Sequence, residues 1–134
     1  MSYRYLLDTN ILSDLIRNPQ GQASQHLKRI KPQTICTSIL VACELSFGAQ
    51  KRNAPALSDR IASLLDRIPV LPLDLPAHQH YSTLRCTLEK QGTPIGSMDL
   101  LIAAHALSLN LTLVTHNTRE FSRVPNLSLE NWLN

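Results

Sequence analysis

Short apolar runs alternate along the chain with longer segments whose apolar positions recur at helical spacing. The short runs are typical of strands buried on both faces of a sheet, and the longer segments of helices that cover it. Predicted strands lie at 3–8, 34–37, 70–74, 111–115 and 127–133, and predicted helices at 11–17, 23–30, 39–52, 54–68, 76–92 and 97–110. Because strands and helices alternate, we expect an α/β fold with a parallel sheet flanked by helices.

Residues typical of helix ends and sheet edges mark the boundaries of these elements. Thr9 or Asn10 can cap the first helix, while Ser38 and Ser97 are placed to cap two later ones. Gly92 stands where the end of a helix favours a left-handed residue. The third strand contains a proline, which cannot donate to a strand ladder, so this strand is predicted at a sheet edge.

Length and composition indicate one ordinary globular domain. Of 134 residues, 43% are hydrophobic and 17% charged, and no repeat or linker divides the chain, so we expect a single domain over residues 1–134. No apolar stretch approaches the roughly 20 residues that cross a bilayer. An acid follows the start too early for a signal peptide. We therefore expect a cytoplasmic protein without membrane contact.

Three carboxylates stand in unusual places. Asp8 ends the first strand, at the edge where parallel sheets place their ligand sites; taken alone, it could equally cap the next helix. At about 100° per residue, Glu44 and Asp99 fall on the apolar, inward faces of their predicted helices. The neighbours on those faces are Leu40, Val41, Phe47 and Gly48 for Glu44, and Ile102, Ala103 and Ala106 for Asp99.

Such positions are unfavourable for carboxylates without a counter-charge. An unpaired buried ion costs several kcal/mol, and two carboxylates about 4 Å apart repel by on the order of 4 kcal/mol at an effective dielectric near 20. Mg²⁺ would reverse that balance, since it prefers hard oxygen ligands and is usually held by one or two carboxylates with water and phosphate. The alternative is that Glu44 and Asp99 each pair with a separate arginine, such as Arg85 or Arg119. Three acids in such positions favour the metal site.

The charge of the remaining surface indicates the substrate class. Thirteen Lys and Arg against ten Asp and Glu give +3; setting the three acids aside leaves seven anions and a balance of +6. Such a surface attracts a polyanion, and a metal ion can activate water against a phosphodiester, so hydrolysis of nucleic acid is the natural chemistry. The candidate phosphate contacts are Lys51, Arg52, Arg119 and Arg123.

Three segments carry a family pattern in order and spacing: "YLLDTNILSDLI" at 5–16, "TSILVACELSFGAQK" at 37–51 and "GTPIGSMDLLIAAHALSLNLTLVTHNTREFSRVPNLSLENW" at 92–132. In these segments the sequence resembles the PIN-domain nucleases, and specifically the VapC-type toxins of bacterial type II toxin–antitoxin modules. The resemblance extends over essentially the whole chain, and the last segment is its most specific part.

The resemblance implies a three-layer α/β/α sandwich around a mainly parallel five-stranded sheet, and an endoribonuclease that depends on Mg²⁺ or Mn²⁺. By position it implies metal-site carboxylates and polar residues that line the site, namely Asp8, Glu44 and Asp99, and Thr9, Asn10 and Thr115. It also implies a VapB-like antitoxin whose C-terminal tail occupies the toxin groove, a homodimer within that complex, and a transfer RNA or ribosomal RNA substrate.

One position departs from the pattern. Many PIN domains have a fourth acid just beyond the fourth strand, where this chain has Asn117. An amide can accept a hydrogen bond from metal-bound water but brings no charge, so a weaker second metal site is predicted. Glu120 could substitute if the turn aims it inward; alternatively, it pairs with Arg123 on a short exposed helix.

Two other functions stay open. Asp8 at the end of a first strand could be the nucleophile of a phosphoryl transfer, although no nearby Asp-x-Asp supports this. The departure at Asn117 suggests instead a catalytically weak RNA-binding or protein-binding module that keeps the fold.

Overall fold

A computed structural model describes residues 2–133; residues 1 and 134 of the predicted domain lie outside this range. Within the range there are five short strands: β1 (Tyr5–Leu7), β2 (Ile35–Ser38), β3 (Val70–Leu71), β4 (Thr112–Val114) and β5 (Leu129–Glu130). The helices are α1 (Thr9–Arg17), α2 (Gln22–Leu27), α3 (Ile39–Lys51), α4 (Pro55–Arg67), α5 (Ala77–Lys90), α6 (Ser97–Leu109) and α7 (Thr118–Phe121), with a 3₁₀ turn at Pro32–Thr34.

The strands form one parallel sheet in the order β3, β2, β1, β4, β5. In the central strand β1, Leu7 is in register with Thr37 of β2 on one side and Val114 of β4 on the other. The chain builds outward from β1 first toward β2 and later toward β4, so the strand order changes direction at β1. Such a point leaves a crevice beyond the carboxyl ends of the strands, where ligands bind. The predicted α/β class and five-stranded parallel sheet are confirmed.

The sheet is apolar because helices cover both of its faces. Leu6, Leu7, Leu113 and Val114 of the two central strands are fully buried, as expected of parallel strands that have no solvent face. Burial of each such side chain contributes about 1.5–3 kcal/mol. Helix α5 packs against α6, and α3 packs against α1 and α4. Among the described residues, no helix combines the length and hydropathy needed to cross a membrane.

Two predicted caps are wrong. Asp8, and neither Thr9 nor Asn10, caps α1: its backbone is extended and its Oδ1 accepts the Thr9 N–H at 2.8 Å. Thr9 is already helical, so its side chain does not lie over the helix end. Helix α6 likewise begins at Ser97, and the cap position belongs to Gly96.

Other boundaries are confirmed. The Oγ of Ser38 accepts the Leu40 N–H at 3.0 Å and caps α3, and Gly92 has φ +71° just after α5. Strand β3 lies at an edge and stops before Pro72. Helix α2 ends three residues earlier than predicted, at Leu27, because the next N–H groups, of Arg29 and Ile30, bond to carbonyls three residues back and not four.

Candidate active site

Asp8 lies beyond the carboxyl end of the central strand and is only 4% exposed. While Oδ1 caps α1, Oδ2 accepts the hydroxyl hydrogen of Thr115 at 2.8 Å. Burial raises the pKa of Asp8; the hydrogen bonds from Thr115 and Thr9 oppose that rise, and the charge of Glu44 adds to it. The N-cap and functional interpretations are therefore compatible, because one oxygen caps the helix while the carboxylate lies at the expected ligand edge.

Glu44 reaches the same edge from α3. Its Oε1 accepts the Thr9 hydroxyl at 2.6 Å, so Thr9 contacts Asp8 through its amide and Glu44 through its side chain. The prediction of which residues lie on the inward face of α3 is partly wrong. Val41 is fully buried as expected, but Phe47 is 66% exposed, with the Lys51 ammonium 5.9 Å from its ring centre.

Asp99 occupies the first turn of α6, as predicted, and its face neighbours Ile102, Ala103 and Ala106 are all buried. Burial, followed by the negative charges of Glu120, Asp8 and Glu44, raises the pKa of Asp99 to about 7. These four carboxylates therefore lie near enough to repel one another although they come from separate parts of the chain. We call Asp8, Glu44, Asp99 and Glu120 the acid cluster.

Glu120 is aimed into the cluster by α7. Its Oε1 accepts the Gly96 N–H at 2.9 Å and its Oε2 accepts the Asn117 amide at 3.0 Å. These two bonds, the first larger, lower the pKa of Glu120. The alternative pairing with Arg123 is wrong as its main contact, because the Arg123 guanidinium donates to the Pro94 carbonyl at 3.0 Å. Sequence reasoning had given no role to Gly96, whose amide contact with Glu120 joins two segments 24 residues apart.

Polar residues at the end of β4 hold the edge together. The Thr115 hydroxyl accepts the Asn117 N–H at 3.0 Å and the Asn10 amide at 3.3 Å. The Asn10 carbonyl oxygen in turn accepts the His116 N–H at 2.9 Å. Thr9, Asn10 and Thr115 thus all lie where the resemblance places them, around Asp8.

The alternative interpretation, in which Glu44 and Asp99 each pair with an arginine, finds no support among residues 2–133. In the described range the one salt bridge joins Arg85 to Glu89, at 2.8 Å on the exposed side of α5. Arg119 is exposed and likewise makes no salt bridge there with Glu44 or Asp99. The acid cluster is therefore not neutralised by guanidinium groups within residues 2–133.

Basic residues border the cluster on the α3 side. Arg52 shares a groove of about 230 Å³ with Thr9, Glu44 and Arg17. Lys51 is exposed beside it. Sequence reasoning missed Arg17, although its spacing could have identified it: Arg17 is eight residues after Thr9, on the same face of α1.

That Asp8, Glu44 and Asp99 are three ligands of one ion stays a prediction. Among residues 2–133, no three or more His, Cys, Asp or Glu side chains are grouped to hold a metal ion. Thr9 and Thr115 engage two of the carboxylates instead. The donor chemistry nevertheless fits Mg²⁺, which needs only one or two carboxylates beside water, and the raised pKa of Asp99 indicates that the cluster lacks counter-charge.

Replacing Thr115 by valine tests how the Asp8 carboxylate is held. Valine keeps the shape but removes the buried donor to Oδ2, so the free energy of unfolding should fall by about 1–3 kcal/mol at pH 7 and the pKa of Asp8 should rise further. Urea denaturation measures the first effect. Thr112→Val in the preceding strand β4 is the control, and equal unfolding free energies for the two variants would contradict this account.

Comparison with known proteins gives a consistent result. Residues 5–127 match the PIN domain family. The chain is 38% identical over 130 residues to "Ribonuclease VapC2" of Rickettsia felis, covering 96% of this chain and 97% of the relative. It is 37% identical over 130 residues to the "tRNA(fMet)-specific endonuclease VapC" of Shigella flexneri, covering 96% and 98%.

Solved structures agree with the sequence relatives. The fold matches a VapBC2 crystal structure from Rickettsia felis bound to a promoter DNA fragment, with TM-score 0.89, 36% identity, and 98% and 99% of the two chains covered. It matches VapBC-1 of nontypeable Haemophilus influenzae with TM-score 0.88, 37% identity and full coverage of both chains. The chain belongs to the PIN-domain family and, within it, to the VapC ribonucleases.

Proposed function

We propose that this protein is the toxin of a type II toxin–antitoxin module, and that it hydrolyses RNA phosphodiester bonds with the help of Mg²⁺ or Mn²⁺. The observation that carries the proposal is the acid cluster, in which burial and neighbouring carboxylates raise the pKa of Asp99 to about 7. Relatives at 37–38% identity over nearly the whole chain are named ribonuclease or endonuclease, which supports the same chemistry. An unneutralised cluster of oxygen donors at the ligand edge of a sheet suits a divalent cation.

In this proposal, the carboxylates and threonines of the site have different roles. Asp8 and Asp99 would hold the ion, and the negative charge of Glu44 would strengthen its binding. The hydrogen bonds from Thr9 and Thr115 fix the orientation of the Asp8 carboxylate. When bound, the ion supplies neutralisation of charge on the reacting phosphate and a lower pKa for attacking water. Glu44 would accept a proton from the attacking water as the water oxygen bonds to phosphorus and the bond to the leaving ribose oxygen breaks. The leaving oxygen takes its proton from solvent.

The substrate in this proposal is a structured RNA, with transfer RNA as the first candidate because relatives from Shigella flexneri and Salmonella typhimurium are named for tRNA(fMet). Arg17 and Arg52 line the groove that contains Glu44, where they could contact phosphates on one side of the scissile bond. Lys51, Arg119 and Arg123 are exposed and are further candidates. Such contacts make binding weaken as the salt concentration rises.

The partner in this proposal is a VapB-like antitoxin. The similar solved structures are VapBC complexes, and the exposed groove beside Glu44 gives the C-terminal tail of such a partner a place to cover the cluster. We also propose that the toxin is a homodimer within that complex. Co-expression with the product of the neighbouring gene, followed by size-exclusion chromatography with light scattering, would measure both associations.

The central experiment is cleavage of transfer RNA transcripts with Mg²⁺, with EDTA, and with Mg²⁺ restored after EDTA. We expect cleavage only in the first and third conditions. Cleavage that persists in EDTA would contradict metal dependence. RNA binding without cleavage in any condition would favour the binding module, and labelled phosphate retained on Asp8 would favour phosphoryl transfer through that side chain.

The fourth position of the site is tested by Asn117→Asp. The new carboxylate would replace the amide that donates to Glu120, so it should add repulsion in the metal-free protein and strengthen Mn²⁺ binding by about tenfold, the effect of roughly 1.4 kcal/mol. Isothermal titration calorimetry measures the affinity. Glu120→Gln is the matched variant and should weaken binding, while unchanged affinity in both would show that neither residue acts on the metal.

A further inference from the structure

A buried polar contact joins the two helices that carry Glu44 and Asp99. His105 in the middle of α6 is 1% exposed, and its Nδ1 lies 2.8 Å from the Oγ of Ser38. Ser38 is also buried, and the same Oγ accepts the Leu40 N–H at 3.0 Å. One side chain therefore caps α3 and ties its first turn to the middle of α6.

The spacing along both helices relates this contact to the acid cluster. Ser38 lies six residues before Glu44, and His105 lies six residues after Asp99. Since the charge of Glu44 also acts on the Asp99 carboxyl, both helices lead from this contact to the acid cluster. The hydrogen bond is then about 9 Å along the axis from the carboxylates. A slide of one helix along the other would change both separations together.

Side-chain packing alone would fix the position of α6 along α3, the register of the two helices, only weakly. His105 is flanked by Ala103, Ala104 and Ala106, which are all buried, and alanine gives only shallow ridges to interdigitate with a neighbouring helix. A single polar contact within an apolar helix pair is a recognised means of fixing register. The histidine is the one side chain in this alanine-rich stretch that can make such a contact.

The histidine is also an unfavourable residue to bury for packing alone. Its Nε2 makes no well-formed hydrogen bond among residues 2–133, although the Pro72 carbonyl lies near the ring, and this carries a desolvation penalty that an apolar side chain of similar size would avoid. Burial lowers the pKa of His105, an effect that the nearby Pro72 carbonyl only partly opposes, so the ring is held neutral. A specific role for the hydrogen bond between His105 Nδ1 and Ser38 would account for a histidine at this buried position.

We propose that His105 is a positioning residue for the nuclease reaction: through Ser38 it fixes the register of α3 against α6, and thereby the spacing of Glu44 and Asp99. The inference rests on the proposed function, because that spacing matters only if both carboxylates act on one ion and one phosphodiester.

Three variants test the proposal. His105→Leu removes the hydrogen bond while filling much of the same space, and Ser38→Ala removes it from the other side. His105→Asn carries an amide group near the position of Nδ1 and can restore it. Leu88→Ala, a buried change in α5, a helix that packs against α6, is the control for loss of stability without loss of the contact.

The measurements are kcat and KM for RNA cleavage, and the Kd of Mn²⁺ by calorimetry without RNA. We expect His105→Leu and Ser38→Ala to lower kcat and weaken Mn²⁺ binding by about 10- to 100-fold, the usual effect of a lost supporting contact at a metal site, with little change in KM. His105→Asn should recover most of both losses. Leu88→Ala should retain kcat and Mn²⁺ affinity at temperatures where it is folded.

Parent-like kcat and Mn²⁺ affinity in the first two variants would overturn the proposal, as would failure of His105→Asn to recover either quantity or an equal loss in Leu88→Ala. Should the parent bind Mn²⁺ but cleave no RNA, the proposed function fails while the Mn²⁺ affinities still decide the role of His105. A parent that binds no Mn²⁺ overturns both.

Discussion

Asp99→Asn is expected to abolish RNA cleavage while making the metal-free protein more stable. Asparagine removes a carboxyl whose pKa is raised to about 7 by burial and by the charges of Glu120, Asp8 and Glu44. Because Asp99 is only partly buried, solvent screening reduces the gain, and we expect on the order of 1–2 kcal/mol at pH 8. Urea denaturation in EDTA measures it, with Asp59→Asn on the exposed side of α4 as the control.

The sign of the pH dependence follows from the same carboxyl. In the unfolded chain Asp99 releases its proton near its ordinary pKa of 3.8, whereas in the folded protein it retains the proton up to about pH 7. Between these values the unfolded state binds fewer protons, so this group makes the protein less stable as the pH rises. Asp99→Asn should remove that part of the slope. If Asp99→Asn has a lower free energy of unfolding than the parent in EDTA, then the Asp99 carboxylate is stabilised by a partner.

Added Mg²⁺ should offset, in the parent protein, the loss of stability that the Asp99 charge causes. An ion that binds only the folded state stabilises it by about 1.4 kcal/mol at ten times its Kd, which corresponds to a rise of a few degrees in Tm for a domain of this size. Asp99→Asn should lose most of that rise. A stability gain in EDTA together with a lost Mg²⁺ response distinguishes a metal-site carboxylate from a structural one, because a structural carboxylate would change neither quantity in this direction.

Local signals in the sequence were sufficient to place the acids on their elements. The end of β1 at Asp8 and the N-cap at Ser38 each depend on a few adjacent residues, and helical periodicity correctly put Asp99 beside buried Ile102 and Ala103. These features require only the geometry of a strand or a helix. They also locate the site, since the carboxyl ends of parallel strands share one edge.

Features that depend on distant partners could not be predicted in the same way. The amide of Gly96, at the start of α6, donates to Glu120, and Glu120 is aimed inward by the four-residue helix α7, whose direction is set by tertiary contacts. The exposure of Phe47 depends on which surface of α3 its neighbours cover. Whether carboxylates group as ligands depends on side-chain hydrogen bonds such as that from Thr9 to Glu44.

A pair of substitutions at Asp8 separates its two roles. Asparagine is as good an N-cap as aspartate and can still accept the Thr9 N–H, but the Thr115 hydroxyl, which already accepts from Asn10 and Asn117, loses its carboxylate acceptor. Removal of a buried charge offsets that loss, since burial raises the pKa of Asp8. We therefore expect Asp8→Asn to unfold within about 1 kcal/mol of the parent. Asp8→Ala loses the cap and leaves the buried Thr115 hydroxyl without its acceptor, so it should be destabilised by about 2–4 kcal/mol.

Both Asp8 variants should lose RNA cleavage by about 10²- to 10⁴-fold, the range found when a positioned catalytic group is removed, even though only one of them is destabilised. Urea denaturation and kcat on the same RNA measure the two effects. Asp14→Asn, another buried carboxylate of α1, which accepts from the Asn18 side chain at 2.7 Å away from the acid cluster, should keep its cleavage rate. If Asp8→Asn cleaves RNA within tenfold of the parent, Asp8 is only a helix cap; if cleavage is lost without loss of stability, its charge acts on the substrate or its metal ion.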